Sequence, residues 1–127
     1  MRQQIVAYEG YTASFNADLR IPNYVVYELT RFETQGAEPR HDKFMCDTEV
    51  DGCPTTDDYK GSGYDRGHMA PAADMKWSKK AMQESFFLTN ICPQNHSLNS
   101  GGGKRLEEKV RLGADRDSAV IVVSGPI

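Results

Sequence analysis

The chain has 127 residues, 15 of them basic and 18 acidic, a net charge of −3 and 39% apolar residues. That length suits one small domain, and the charge balance disfavours a protein that coats nucleic acid while permitting a few local phosphate contacts. No apolar run reaches eighteen residues, so the sequence offers no membrane-spanning helix.

The opening, MRQQIVAYEGYTASFN, has no basic stretch leading into an apolar one and does not read as a signal peptide. PNYVVYELTR, within residues 22–31, is rich in β-branched and aromatic residues and predicts a strand. Residues 33–62 read as a loop punctuated by Gly36, Pro39, Gly52, Pro54 and Gly61, and loops of that length in small domains are often functional. Inside it, Cys46 and Cys53 enclose an acidic, turn-rich stretch, either as a disulfide in an oxidising compartment or as two free thiols. Cys92, in FFLTNICPQ, reads as a buried and unreactive thiol. No C-x-x-C pair or zinc-finger spacing is present.

Further along, Ser78 is placed to cap a short helix, with Trp77 and Met82 as a hydrophobic staple. SFFLTNI (85–91) predicts a buried strand or extended segment. KRLEEKVRL (104–112) predicts a helix, with Leu106 and Val110 on an apolar stripe and Glu107 and Arg111 paired beside it. SAVIVVSGPI predicts a strand whose unbroken hydrophobicity implies burial on both faces. The fold class is therefore α+β.

Two segments carry chemistry. GYDRGHMAPAADM (63–75) sets Arg66 and His68 around Gly67. A lone histidine is usually structural, but a neighbouring arginine favours the neutral imidazole that a general base requires. The arginine suits a phosphate, and glycine allows close backbone approach. The second segment gathers Asn90, Pro93, Gln94, His96 and Asn99, with Glu107 following on the helix. Turn and cap preferences account for much of it, yet these are also the oxygen donors that hard cations favour.

DRGHMAP, then LTNICPQNHSLN, then KRLEEKVR together resemble the DNA/RNA non-specific endonuclease family, which includes endonuclease G and belongs to the ββα-metal (His-Me finger) nucleases. The resemblance runs from about residue 22 to VVSGP. It implies a ββα-metal core with an antiparallel sheet flanked by helices, and a Mg²⁺-dependent cleavage of DNA and RNA that leaves 5′-phosphate ends, with Mn²⁺ as a substitute ion. Under it, His68 matches the general base, Asn99 the sole protein ligand of the metal, and Glu107 a carboxylate that orients metal-bound water. Arg66 and Arg111 match phosphate-binding arginines, Asn90 a further polar residue of the site, and Arg40, in EPRHDKF, another phosphate-stabilising arginine.

The sequence departs from the family in two places. Gly103 stands where an aromatic residue is usual, within a glycine run that weakens the helix start. Relatives continue beyond the Gly125–Pro126 break with more strands, so residues 1–127 read as a single domain that is incomplete at its end. These departures make a nucleic-acid-binding module with weakened catalysis the alternative reading. A third reading groups His41, His68, His96 and the cysteines as a transition-metal site. Because an unrestricted nuclease endangers its own cell and Cys46 and Cys53 could pair outside it, the expected location is secreted or periplasmic.

Overall fold

The computed structural model describes residues 4–55, 63–94 and 103–125; within them, the side chains of Asp65, Asp115 and residues 103–108 lie outside the description. Strands β1 (Gln4–Ala7) and β2 (Thr12–Asn16) form an antiparallel hairpin ahead of β3 (Ile21–Thr30). The β2–β3 register slips between Ser14 and Phe15, and Phe15 then faces Pro22. A strand proline has no N–H to give the ladder, so it is tolerated at such an irregularity. The Asn16 side chain accepts from the backbone of Asp18 and Leu19, both at 3.0 Å, and closes the turn between the two strands.

Helix α1 (Arg31–Thr34) follows β3 directly. Thr30 Oγ1 accepts from Glu33 N at 3.2 Å, and Glu33 Oε1 accepts from Thr30 N at 3.0 Å. This is a reciprocal capping box. The predicted loop from residue 33 therefore starts only after Thr34, two residues later, and Thr30-x-x-Glu33 was the signal for the helix. Beyond α1 the chain to residue 55 is irregular, apart from a bridge between Met45 and Phe87.

Strand β4 (Asp65–His68) pairs with β5 (Ile91–Gln94) in a separate two-stranded sheet. Between them, α2 (Lys79–Glu84) is capped as expected, with Ser78 Oγ accepting from Ala81 N at 3.2 Å. The staple is not formed: Trp77 packs on the main core, whereas Met82 packs with Ala72 and Phe86. Residues 85–91 are buried as expected but are not one extended segment. Ser85 closes α2 and Leu88–Asn90 is a 3₁₀ turn before β5 begins.

Helix α3 (Gly103–Asp117) is longer than the stretch read from the sequence. It lays Val110 and Ala114, one turn apart, on a core that contains Tyr27 and Leu29 of β3. Strand β6 (Ala119–Ser124) returns to β3, giving the sheet order β1-β2-β3-β6. The expected two-sided burial of β6 is not found: Ile121 and Val123 are 66% and 68% exposed. The strand has a neighbour on one side and alternates, with Val120 and Val122 packed on the core. An apolar run signals a preference for strand, and the tertiary partner decides which faces are covered.

Candidate active site

His68 closes β4, opposite Ile91 of β5, so the DRGH motif lies on a strand. Met69 N donates to Asn90 O at 2.8 Å and fixes the backbone beyond the histidine. Gly67 meets the close approach that its sequence suggested. A Cβ on it would lie 2.3 Å from the Gln94 side chain.

Two aromatic rings wall the imidazole. Phe86 meets it edge-on, with centroids 4.7 Å apart and planes at 82°, and Phe44 lies 5.5 Å away. Phe44 comes from the irregular segment after α1, which is stitched to the 86–88 stretch: Met45 N donates to Phe86 O at 3.2 Å and Leu88 N to Met45 O at 2.8 Å. Each ring carries a guanidinium. Arg66 stacks over Phe44 at 4.3 Å and Arg40 over Phe86 at 5.0 Å, an arrangement in which the ring quadrupole favours the cation. The structure thus brings His68, Arg66 and Arg40 together. Phe44 and Phe86 are site residues that sequence reasoning missed, because their apolar character signals only core.

His68 as a whole is half-buried, but its Nε2 is enclosed and has no hydrogen-bond partner among the described residues. Burial pushes its pKa from 6.5 down to about 3, with the Arg40 cation adding to the effect and Asp42 opposing it. Arg40 is itself ion-paired to Asp42. The imidazole is therefore neutral at physiological pH and presents an unused acceptor or donor nitrogen beside two cations.

Asn90 lies outside this aromatic enclosure. Its Oδ1 accepts from Ala70 N at 2.8 Å, and its Nδ2 donates to Ala70 O and Ser85 O, both at 2.9 Å. Each polar atom of the amide is thereby committed to buried backbone. Arg111, on α3, pairs with Asp74 at 3.0 Å, and Tyr27 donates to the other Asp74 oxygen at 2.6 Å. Asp74 is fully buried, and burial raises its pKa despite the opposing pull of Tyr27 and Arg111. This network ties β3, the turn after β4 and α3 into one unit. Asp74→Ala is expected to lower stability by about 3 kcal/mol by leaving the arginine and phenol without their acceptor. The midpoint of urea unfolding measures it.

Asn99 and His96 lie outside the described residues, and Glu107 sits within α3 with its side chain outside the description. So does the aromatic position taken by Gly103, which begins α3. Among the described residues no three His, Cys, Asp or Glu side chains gather in a way that could hold a metal. Cys46 and Cys53 are free thiols in this structure, and Cys92 is buried as expected. Burial pushes the Cys53 thiol up to about 12 and that of Cys92 up to about 11.

A β-strand pair bearing DRGH, followed by a helix and packed beside an antiparallel sheet, is the ββα-metal nuclease fold. The chain belongs to the DNA/RNA non-specific endonuclease family, whose model matches residues 1–127. It is 42% identical over 123 residues to "Nuclease EXOG, mitochondrial" of Xenopus laevis, a match covering 94% of this chain and 34% of that protein. It is also 34% identical over 130 residues to human "Endonuclease G, mitochondrial", covering 98% of this chain and 43% of the other. Among solved structures, the "Crystal structure of the EndoG/EndoGI complex: Mechanism of EndoG inhibition" superposes with a TM-score of 0.93 at 29% identity, over 100% of this chain and 54% of that one. The chain spans about a third to two-fifths of the length of these curated relatives. Their mitochondrial names overturn the expectation of a secreted or periplasmic location.

Proposed function

We propose that this chain carries the catalytic half of a Mg²⁺-dependent, sugar-non-specific endonuclease that hydrolyses phosphodiester bonds of DNA and RNA. The observation that supports it most is the enclosed, neutral His68, its Nε2 without a partner among the described residues, walled by two rings that each carry an arginine. His68 takes the proton from an attacking water, which needs the neutral imidazole at neutral pH. Arg66 and Arg40 sit beside it to receive the phosphate oxygens as negative charge builds on the pentacoordinate phosphorus. Arg111, held by Asp74, binds the phosphate from the helix side. Asn90 fixes the chain on the far side of His68 and acts as a positioning residue.

Asn99 is the residue that would ligate the metal, and Glu107 the carboxylate that would orient the waters bound to it. An amide and a carboxylate offer hard oxygen donors, which suit a Mg²⁺ ion that keeps most of its waters, with Mn²⁺ as a substitute. When bound, the ion neutralises phosphate charge and assists departure of the 3′-oxygen, leaving 5′-phosphate ends. Recognition through the backbone rather than base edges accounts for indifference to sequence. The names of the relatives support residence in mitochondria.

The test is nicking of supercoiled plasmid and degradation of RNA by the purified protein. Cleavage with Mg²⁺, its loss in EDTA and its return with added Mg²⁺ are expected. Equal cleavage in EDTA would overturn the metal-dependent mechanism, and DNA binding without cleavage would identify a binding module instead.

A further inference from the structure

A second feature is a cleft beside α1. Phe32, Gln35, Glu38, Pro39, Lys76 and Trp77 line this open cleft of about 340 Å³. Among the described residues Phe32 is 81% exposed. The cleft is built rather than incidental. Gly36 packs so tightly on the backbone of Lys76 and Trp77 that a Cβ would come within 2.3 Å, and Glu38 N donates to Lys76 O at 2.9 Å.

One wall leads by geometry, and the other along the sequence, to residues of the enclosure around His68. On one side Pro39 is followed by Arg40, whose guanidinium lies over Phe86. On the other, Trp77 leads through the short α2 to Phe86 itself. Three lysines outnumber the nearby carboxylates: Lys76 is exposed at the cleft and Lys79 and Lys80 on the first turn of α2, against Glu38 in the lining and Glu9, which accepts from Ser78 Oγ. Aromatic faces beside a track of lysines are what a nucleic-acid strand uses when its bases are unpaired. Gln35 and Glu38 add an amide and a carboxylate to its lining.

We infer that this cleft is a nucleobase subsite, in which an unpaired base flanking the scissile phosphate stacks on Phe32 and Trp77 while Lys76, Lys79 and Lys80 follow the backbone. The inference rests on the nuclease reading for the identity of the strand. It makes single strands, or locally melted duplex, the preferred substrate class at this site.

Trp77 is the only tryptophan in the chain, so its fluorescence reports the cleft alone. The experiment titrates the His68→Ala protein, in EDTA, with a short oligodeoxyadenylate and with an abasic oligomer of the same length. Saturable Trp77 quenching by the base-bearing oligomer, absent with the abasic one, is expected. Phe32→Ala, a change at an exposed side chain, is expected to weaken the first complex about tenfold and leave the second unchanged. Equal binding of both oligomers with unperturbed fluorescence, or no effect of Phe32→Ala, overturns the subsite. Plasmid cleavage by the unmodified protein is scored separately. Cleavage without base-dependent quenching sinks only the subsite, quenching without cleavage sinks only the nuclease, and the absence of both sinks the two together.

Discussion

His68→Ala is expected to lower kcat/KM for plasmid cleavage by at least about 10²–10⁴-fold while leaving DNA affinity nearly unchanged. Among the described residues, the imidazole is the buried group with an unpartnered nitrogen and a neutral form at working pH. The arginines that would bind the phosphate are anchored on Phe44 and Phe86 rather than on the histidine, so binding survives its removal. An alanine variant that cleaves at the parental rate would exclude His68 as the base. The same burial sets the pH behaviour. A histidine of ordinary pKa loses its basic form below about pH 6.5. His68, pushed down to about 3, keeps it, so the fall of kcat/KM in acid is expected well below the usual histidine range. Stability carries the matching signature. Between about 6.5 and about 3 the unfolded chain binds a proton at His68 that the folded chain does not, so stability is fully present above 6.5 and declines as the pH falls through that window. His68→Ala removes that slope, and melting temperatures of the two proteins at about pH 7 and about pH 4.5 measure it.

The sequence showed the candidate residues more readily than how they are assembled. DRGH offered a candidate base and one arginine, and the resemblance of three segments to a nuclease family, more than their spacing, suggested their roles. The placement of His68 on a strand was hidden, since four residues containing glycine and two charges carry no alternation for a period to act on. Arg40 was hardest to place from sequence alone: it lies in an irregular segment whose course depends on Met45 bridging to Phe87, a contact between residues forty-two positions apart. Phe44 and Phe86 were invisible as site residues for a related reason. An aromatic side chain reads as core wherever it stands, and only the fold shows that these two enclose a titratable ring. The same limit explains β6, whose hydrophobic run announced a strand but not its exposed face. The polar pairings illustrate the converse. Arg111 pairs with Asp74, thirty-seven residues distant and buried, a partner that helical spacing could not reveal. Local spacing names only the neighbours that a helix makes available, whereas a buried acceptor across the fold comes from the tertiary structure.

Asn90→Ala is expected to be among the most damaging single substitutions in the chain, with a loss of stability of about 3–6 kcal/mol. The amide satisfies Ala70 N, Ala70 O and Ser85 O, and both Ala70 and Ser85 are fully buried, so no water replaces it. Each abandoned backbone group carries a desolvation cost of about 1–3 kcal/mol, and the three lie too close together to be fully independent. Asn90→Asp offers a sharper discrimination. Aspartate retains an acceptor for Ala70 N but has no donor for the two carbonyls, and its charge faces them, so it is expected to rescue little or nothing. The effect reaches the site through the backbone: Asn90 O accepts from Met69 N, the residue after His68, and the side chain holds Ala70 beyond it. Loss of the amide therefore loosens the strand end that aims Nε2. Unfolding midpoints should fall for both variants, with cleavage at low temperature reduced in step with the disorder around His68. If instead Asn90→Ala keeps the parental midpoint and loses only kcat, Asn90 contacts the reacting phosphate directly and the positioning role is wrong.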